Sequence, residues 1–314
     1  MRPFLAGLLA ALAASGCGPA AEPSEPESPL TQITQGTAGE DKDPEVSPDG
    51  QRLLYASTSF GHRCDLFAKR PGSNVATRLV SAPGDKRFPK INPARPRMLA
   101  YCSNARGEWD IYVVEDTEAD PDRAVPVSET GTHDLHPTWS PDGRRLAWCS
   151  TDDLRRGRWI LRIKDLETGR IQSLEDVEGL LPEWSPRDSR IVFQRMKERD
   201  RWLSSLWVLD FDGSSARNLT VLFASDAWAA INPAWSPDGK RVVFATAART
   251  PRPGDREEAD DLWVADADGS HATRLTASPA SDWMPTWASD GRIYFVSNRS
   301  GTPRIWSLLP LLPE

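Results

Sequence analysis

A heptapeptide that recurs six times is the feature of this sequence that most constrains its fold. Its clearest copy is Pro-Thr-Trp-Ser-Pro-Asp-Gly at 137–143, and the copy at 233–239 differs only by Ala in place of Thr. The four more divergent copies lie at 44–50, 89–93, 182–188 and 285–291. Repetition of this kind is the signature of an architecture in which each unit buries its apolar surface against its neighbours. The sequence therefore predicts a fold built from six similar units.

Each unit contains four strand-like segments separated by turns. In the third copy these segments are 133–139, 145–150, 159–165 and 171–174. Ser-Pro-Asp-Gly at 140–143 is typical of a tight turn, because proline fixes φ at about −65° and glycine accepts a positive φ. Apolar residues on both faces of the strands indicate a sheet packed between two others. Each unit is thus predicted to be a four-stranded antiparallel blade.

Tryptophans recur at two positions of the repeat. Trp139, Trp184, Trp235 and Trp287 share one position, and Trp207, Trp263 and Trp306 share the other. Large rings that recur at fixed positions suit the packed interface between adjacent blades better than a ligand platform.

The sixth unit lacks a fourth strand, whereas a strand-like segment at 31–34 precedes the first unit. An N-terminal strand that completes the last blade would close a ring and protect both sheet edges. We therefore predict an all-β, six-bladed β-propeller over residues 31–314, with about 47 residues per blade. The blades are expected to begin near residues 41, 86, 133, 179, 229 and 282.

The repeat also resembles a known family. Trp-Ser-Pro-Asp-Gly is followed by an apolar strand, a Ser-Asn-Arg-Ser-Gly turn at 297–301, a Leu-Trp-Val or Ile-Trp strand and Arg-Leu-Thr. This order resembles the PD40 (WD40-like) repeat of the TolB-like propellers, and the resemblance covers residues 31–314. It implies the propeller fold but leaves function open, because the repeat also occurs in surface lipoproteins and in prolyl oligopeptidase-like enzymes.

The N-terminal residues predict export. Arg2 precedes an apolar run at 4–14 that is shorter than the roughly 20 residues needed to span a bilayer. The segment that ends at Cys17 resembles a bacterial lipobox, so residues 1–16 are interpreted as a signal peptide and Cys17 as the lipidation site. An ordinary secretory signal is the alternative. The Pro- and Glu-rich segment 17–30 is expected to be a tether. These features predict a lipid-anchored protein of the bacterial cell envelope, at the outer membrane or facing the periplasm.

Composition excludes some functions. The net charge is −7 and no basic cluster occurs, so nucleic acid is not an expected partner. Beyond Cys17, the cysteines at 64, 102 and 149 allow at most one disulfide, and packing in the core is the simpler role for them.

We find no Gly-x-Ser-x-Gly or His-Glu-x-x-His motif, and we expect function where the repeats differ. His-Asp-Leu-His at 133–136 precedes the third repeat, and acidic residues stand at related positions in other units. The predicted channel-mouth residues are Asp41, His133, Asp134, His136, Asp226 and Asp282. Such groups could bind a divalent cation or a cationic peptide, and the alternative is a solvated polar channel.

A long charged loop in the fifth unit is a second candidate site. The predicted contact residues in this loop are Arg249, Arg252, Asp255 and Arg256. Loops longer than their counterparts in a repeat scaffold often contact partners, although a tolerated insertion is equally compatible.

These observations predict a monomeric, non-catalytic scaffold that docks a protein or peptide partner in the envelope, without a cofactor. It would contact the membrane through its N-terminal lipid only. One alternative is a metal-dependent lactonase or lyase with His133, Asp134 and His136 in the channel. The other is a glycan-binding module that uses aromatic residues such as Trp109, Trp202 and Trp283.

Overall fold

The computed structural model describes residues 29–36, 38–154, 157–196, 204–248 and 260–312. The elements within these ranges are β-strands, and no helix there is long and apolar enough to cross a membrane. The strands are β1 (Thr31–Gln32), β2 (Asp41–Val46), β3 (Leu53–Ser57), β4 (Asp65–Lys69), β5 (Thr77–Arg78), β6 (Lys86–Ile91), β7 (Leu99–Ser103), β8 (Asp110–Val114), β9 (Ala124–Pro126), β10 (His133–Trp139), β11 (Arg145–Thr151), β12 (Ile160–Asp165), β13 (Ile171–Glu178), β14 (Leu180–Trp184), β15 (Arg190–Met196), β16 (Ser204–Phe211), β17 (Ala216–Phe223), β18 (Trp228–Trp235), β19 (Arg241–Ala248), β20 (Asp261–Asp266), β21 (Thr273–Arg274), β22 (Asp282–Trp287), β23 (Ile293–Ser297) and β24 (Arg304–Leu308).

The strands form six four-stranded antiparallel sheets, which confirms the predicted six-bladed propeller. Blades 1 to 5 are β2–β5, β6–β9, β10–β13, β14–β17 and β18–β21. Blade 6 combines β22, β23 and β24 with β1, where Thr31 pairs with Ser307 and Gln32 with Trp306. The N-terminal strand therefore completes the last blade, as the sequence predicts.

Six apolar clusters hold the ring together, one between each pair of adjacent blades. Trp139, Trp184 and Trp235 contribute to three of these interfaces, and each side chain is only 5% exposed. The indole Nε1 of Trp139 donates to the carbonyl of Lys90 at 2.9 Å, in the preceding blade. The first group of repeated tryptophans thus packs between blades, as predicted. The second group, Trp207, Trp263 and Trp306, is half-buried at the blade interfaces.

The repeated turn also connects neighbouring blades. Ser140 Oγ donates to Asp142 Oδ1 at 2.6 Å and accepts from the backbone N–H of Arg145 at 2.9 Å, which closes the turn. Gly143 has a φ of +68°, and its carbonyl accepts from Asn92 Nδ2 of blade 2 at 2.8 Å. A Cβ at Gly143 would overlap the Asn92 side chain. Glycine is therefore required here both by the backbone conformation and by the close approach.

A buried ion pair joins the two ends of the ring. The Arg304 side chain in blade 6 is fully buried, and its Nη1 lies 3.3 Å from Asp41 Oδ2 in blade 1. Arg304 Nη2 also donates to the carbonyl of Ala38 at 3.0 Å. One side chain thus connects the last blade, the first blade and the segment that follows β1.

Candidate functional site

The inner strands of the propeller (β2, β6, β10, β14, β18 and β22) share an irregularity where they line the channel. In each, the residue before the repeat proline has a left-handed backbone, with φ between 50° and 56°. The pairing register with the second strand shifts at the same place, as in a β-bulge. These six residues, which we call the channel ring, are Asp43, Phe88, His136, Leu181, Asn232 and Met284.

Left-handed φ values cost about 1–3 kcal/mol at a residue other than glycine, so six instances require a consistent structural cause. The bulge supplies that cause, since it places an extra residue in one strand and turns its side chain away from the regular alternation. The repeat thus fixes the backbone of the channel ring while its side chains differ from blade to blade. Chemical specificity can therefore vary without any change of fold.

The channel ring surrounds a cavity of about 80 Å³. All six repeat prolines line this cavity beside the ring and are buried, and the residues that follow them complete the wall. The following residue lines the cavity in four of the six blades, as Lys90, Glu183, Ala234 and Thr286. The cavity, which we call the channel cavity, is thus formed by the same three repeat positions in successive blades.

Three charged side chains from three blades meet beside the channel cavity, and two of them, Lys90 and Glu183, line it. Lys90 Nζ lies 2.8 Å from Glu183 Oε1 and 3.2 Å from Glu45 Oε2. Burial, opposed by the positive charge of Lys90 and assisted by the neighbouring Glu183 carboxylate, raises the pKa of the Glu45 carboxyl to about 7. One ammonium therefore faces two carboxylates in a largely desolvated position.

A second charged pair lies beside this group and is neutral overall. Arg87 donates to Asp43 through Nε at 2.5 Å and Nη2 at 3.0 Å, in a bidentate arrangement. The Arg87 guanidinium also lies over the Phe88 ring, 4.7 Å from its centroid. The Phe88 and His136 rings are 4.0 Å apart between centroids.

His136 approaches a cysteine, with Nδ1 3.4 Å from Cys149 Sγ. The thiol donates to the carbonyl of Leu135 at 3.3 Å, so the sulfur can accept from the imidazole. Burial lowers the pKa of His136 to about 3 and raises the pKa of the Cys149 thiol to about 12. The pair therefore holds a neutral imidazole and a protonated thiol near neutral pH, and it lacks the thiolate that nucleophilic catalysis needs.

The structure separates the other predicted channel-mouth residues from the channel cavity. Asp41, Asp134 and Asp282 are at most 3% exposed. Asp41 accepts a hydrogen bond from Ser57 Oγ at 2.6 Å and contacts Arg304. Asp134 accepts one from Trp148 Nε1 at 2.9 Å. Asp282 accepts one from Arg299 Nη2 at 2.8 Å. These three carboxylates stabilise different blades and do not converge.

The remaining candidates are also dispersed. His133 Nδ1 accepts from the backbone N–H of Trp109 at 3.4 Å, and Asp226 is exposed between β17 and β18. Of the predicted channel-mouth set, only His136 lines the channel cavity. Cys17 and the loop residues Arg249, Arg252, Asp255 and Arg256 lie outside the described residues.

The described residues contain no group of three or more His, Cys, Asp or Glu side chains arranged to hold a metal ion. The cysteines at 64, 102 and 149 are free, and those at 102 and 149 are buried. Half-buried Trp109 and Trp283 pack against the inter-blade clusters, while Trp202 lies outside the described residues.

Comparison with known proteins identifies relatives of this chain. The family model described as the TolB beta propeller domain (PD40) matches residues 97–254 and 227–309, together more than half of the chain. A Tol-Pal system protein TolB from Anaeromyxobacter dehalogenans is 37% identical over 138 residues, which cover 43% of this chain and 28% of that protein. The chain thus matches less than a third of the length of this relative.

Two of the solved structures that share the fold are similar to this chain over 91% of its length. A protein assigned as TolB from Agrobacterium tumefaciens superposes with a TM-score of 0.64 at 17% identity, over 91% of this chain and 97% of that one. An oligogalacturonate lyase from Vibrio parahaemolyticus superposes with a TM-score of 0.60 at 14% identity, over 91% and 99%. At these identities the likeness concerns the fold alone, and it includes both a TolB and an enzyme.

Proposed function

The chain belongs to the TolB β-propeller domain family, and from this premise we propose that it is a non-catalytic scaffold of the bacterial cell envelope. Its channel cavity docks a segment of a protein or peptide partner. The observation that carries this proposal is the channel ring, in which one repeated backbone presents six different side chains to a single cavity. The repeat prolines are alike in all six blades, whereas the channel-ring residues before them differ.

The chemistry at the channel cavity supports docking over catalysis. The buried His136–Cys149 pair lacks a thiolate, and Lys90 is already engaged by two carboxylates. The three carboxylates expected to gather at the channel mouth are instead buried in separate blade networks. Lys90 is the one lysine among the described residues that line the cavity, and it is already paired with Glu183. It therefore offers no free positive charge to an anionic sugar substrate.

Attachment to the membrane through Cys17 forms part of the proposal. Its support is the lipobox-like sequence before Cys17 and the relationship to proteins named for the Tol-Pal system. Because the chain matches only 28% of such a relative, the partners of those proteins are not transferred to this one.

In-cell photo-crosslinking tests the docking function. A photoreactive amino acid replaces Leu181 in the channel ring, and a matched control replaces Val125, which is 52% exposed on the outer strand of blade 2. We expect a specific protein adduct from position 181 that is absent from position 125. The proposal is contradicted if position 181 captures no protein while a small molecule co-purifies. Chelator-sensitive turnover of lactones or oligogalacturonates would contradict it in favour of an enzyme.

A further inference from the structure

The charges at the channel cavity do not balance. Glu45 and Glu183 share the single ammonium of Lys90, and the adjacent Arg87–Asp43 pair is neutral. The imidazole of His136 is neutral because burial lowers its pKa to about 3. With both glutamates ionised, the group carries one uncompensated negative charge.

The open hydrogen-bonding capacity lies on Glu183. Its Oε1 accepts from Lys90, whereas its Oε2 accepts no hydrogen bond from the described residues. Glu45 is more fully used, because Oε2 contacts Lys90 and Oε1 accepts from the backbone N–H of Ile91 at 3.4 Å. A carboxylate oxygen has room for further donors, so the cavity offers an acceptor that no hydrogen bond from the described residues uses.

The wall around this acceptor is largely apolar, and its donor-bearing side chains other than Lys90 are His136, Asn232 and Thr286. The six repeat prolines have no N–H groups, and Phe88, Leu181 and Met284 of the channel ring contribute apolar side chains. A volume of about 80 Å³ holds only a few water molecules or the end of one narrow side chain. The wall thus suits a slender apolar stem, and the charge suits a cation at its tip.

We propose that the channel cavity binds the side chain of a lysine presented by the docked partner, with the ammonium at Glu183, next to the Lys90–Glu45 pair, and the methylenes against the prolines. This inference rests on the proposed docking function and names the chemistry of the docked residue. A lysine combines an unbranched four-carbon stem with a compact ammonium, whereas arginine carries a broader planar head. The α-amine of a chain terminus sits on a branched carbon beside a peptide bond and lacks such a stem.

The raised pKa of Glu45 fits this assignment. Its value of about 7 means that a proton partly neutralises the excess negative charge when no other cation is present. The groups that face Glu45 are Lys90 from β6 and Glu183 from β14. A lysine ammonium would take the place of that proton, so binding is best measured at pH 8, where Glu45 is mostly ionised.

Binding of capped single amino acids to the purified full chain tests the inference. The probes are the Nα-acetyl methylamides of lysine, norleucine and arginine, titrated at pH 8 by ligand-observed NMR. We expect the lysine probe to bind with a dissociation constant on the order of 1 mM, as a ligand tip of about five heavy atoms allows. Norleucine, which keeps the stem without the charge, and arginine should bind at least about tenfold more weakly.

Three variants locate the site. Glu45→Gln and Glu183→Gln should each weaken the lysine probe about tenfold, since each removes one negative charge. Leu181→Trp should abolish binding by filling the cavity without a change of charge. The matched control is Glu118→Gln, because Glu118 is 56% exposed and pairs with Arg97 on the surface. Thermal unfolding verifies that each variant is folded. If Leu181→Trp does not fold, the two Glu→Gln variants, which keep the size of the side chain, still test the site.

The outcomes separate this inference from the docking function. Equal binding of lysine and norleucine, or no effect of Glu45→Gln and Glu183→Gln, overturns the lysine assignment. If crosslinking at position 181 still captures a protein, docking stands with a different anchor. If the lysine probe binds as expected and no protein is captured, the cavity is an amine site and the docking function fails.

Discussion

The ion pair between Arg304 and Asp41 should contribute strongly to stability, because it closes the ring and is fully buried. Arg304 is 0% exposed and the Asp41 side chain 4%. Arg304→Met removes the cation and leaves the Asp41 carboxylate buried beside Ser57 without its charge partner. Removal of one member of a buried pair typically costs about 3–5 kcal/mol. For a chain of this size that corresponds to a fall in Tm of about 6–10 °C.

A double-mutant cycle isolates the pair itself. Arg304→Met, Asp41→Asn and the double variant are compared with the parent by equilibrium denaturation and calorimetry. We expect a coupling free energy of about 2–3 kcal/mol, within the range for contacting residues. The control cycle uses Arg144 and Glu167, which lie 2.9 Å apart but are 64% and 70% exposed. That surface pair should couple by less than about 1 kcal/mol.

The control cycle shows whether burial of the Arg304–Asp41 pair is the reason for its strong coupling. A coupling for Arg304–Asp41 no larger than that of Arg144–Glu167 would refute the assignment of ring closure to this ion pair. If Arg304→Met is destabilising and the double variant with Asp41→Asn is no more stable than expected from the two single variants, the loss comes instead from the hydrogen bond to the Ala38 carbonyl.

Further predictions concern the turn, the channel and the anchor. Gly143→Ala should destabilise the protein by about 1–3 kcal/mol more than Gly72→Ala. Both glycines have a positive φ, but only Gly143 lies close to another residue. Equal losses of stability in thermal unfolding would contradict this. His136 has its pKa lowered to about 3, so the unfolded state binds a proton that the folded state does not between about pH 3 and 6.5. The contribution of His136 to stability should therefore rise with pH across that window. His136→Gln should lower the slope of unfolding free energy against pH there, and an unchanged slope would contradict this. Glu45 has its pKa raised to about 7 from an ordinary 4.5, so its contribution is fully present below pH 4.5 and lost as pH rises through 7. Glu45→Gln should raise the slope of unfolding free energy against pH between about 4.5 and 7, whereas an unchanged slope would show that Glu45 does not cause the decline. Cys17→Ser should move the protein from the membrane fraction to the soluble fraction, and retention in the membrane would contradict lipidation at Cys17.

The repeats made the fold predictable. Six copies of a turn motif, tryptophans at constant positions and an unpaired strand at 31–34 led to a closed six-bladed ring, and the pairing of Thr31 with Ser307 confirms the closure. These predictions succeeded because each depends on a local pattern that occurs several times. Where one copy of the repeat departs from the pattern, the other copies still predict the same strands and turns.

The channel was harder to predict, for a reason that is visible at the bulge. In a regular strand, residues two apart share a face, so Asp41 and Asp43 would both face the channel. The left-handed residue at position 43 breaks the alternation, and Asp41 instead packs inside the blade against Ser57 and Arg304. The sequence did contain a usable signal, because Lys90 and Glu183 are charged residues that directly follow the repeat proline.

The affinity of the partner captured at position 181 tests the central claim most directly, because docking at the channel cavity requires that cavity to be open. The measurement compares Leu181→Trp, which fills the cavity, with Val125→Trp on the outer strand of blade 2. Docking in the channel predicts at least about a 30-fold loss of affinity for Leu181→Trp, as expected for a binding hot spot, and a change within about twofold for Val125→Trp. Equal affinities of the two variants would contradict it and place the partner elsewhere on the propeller.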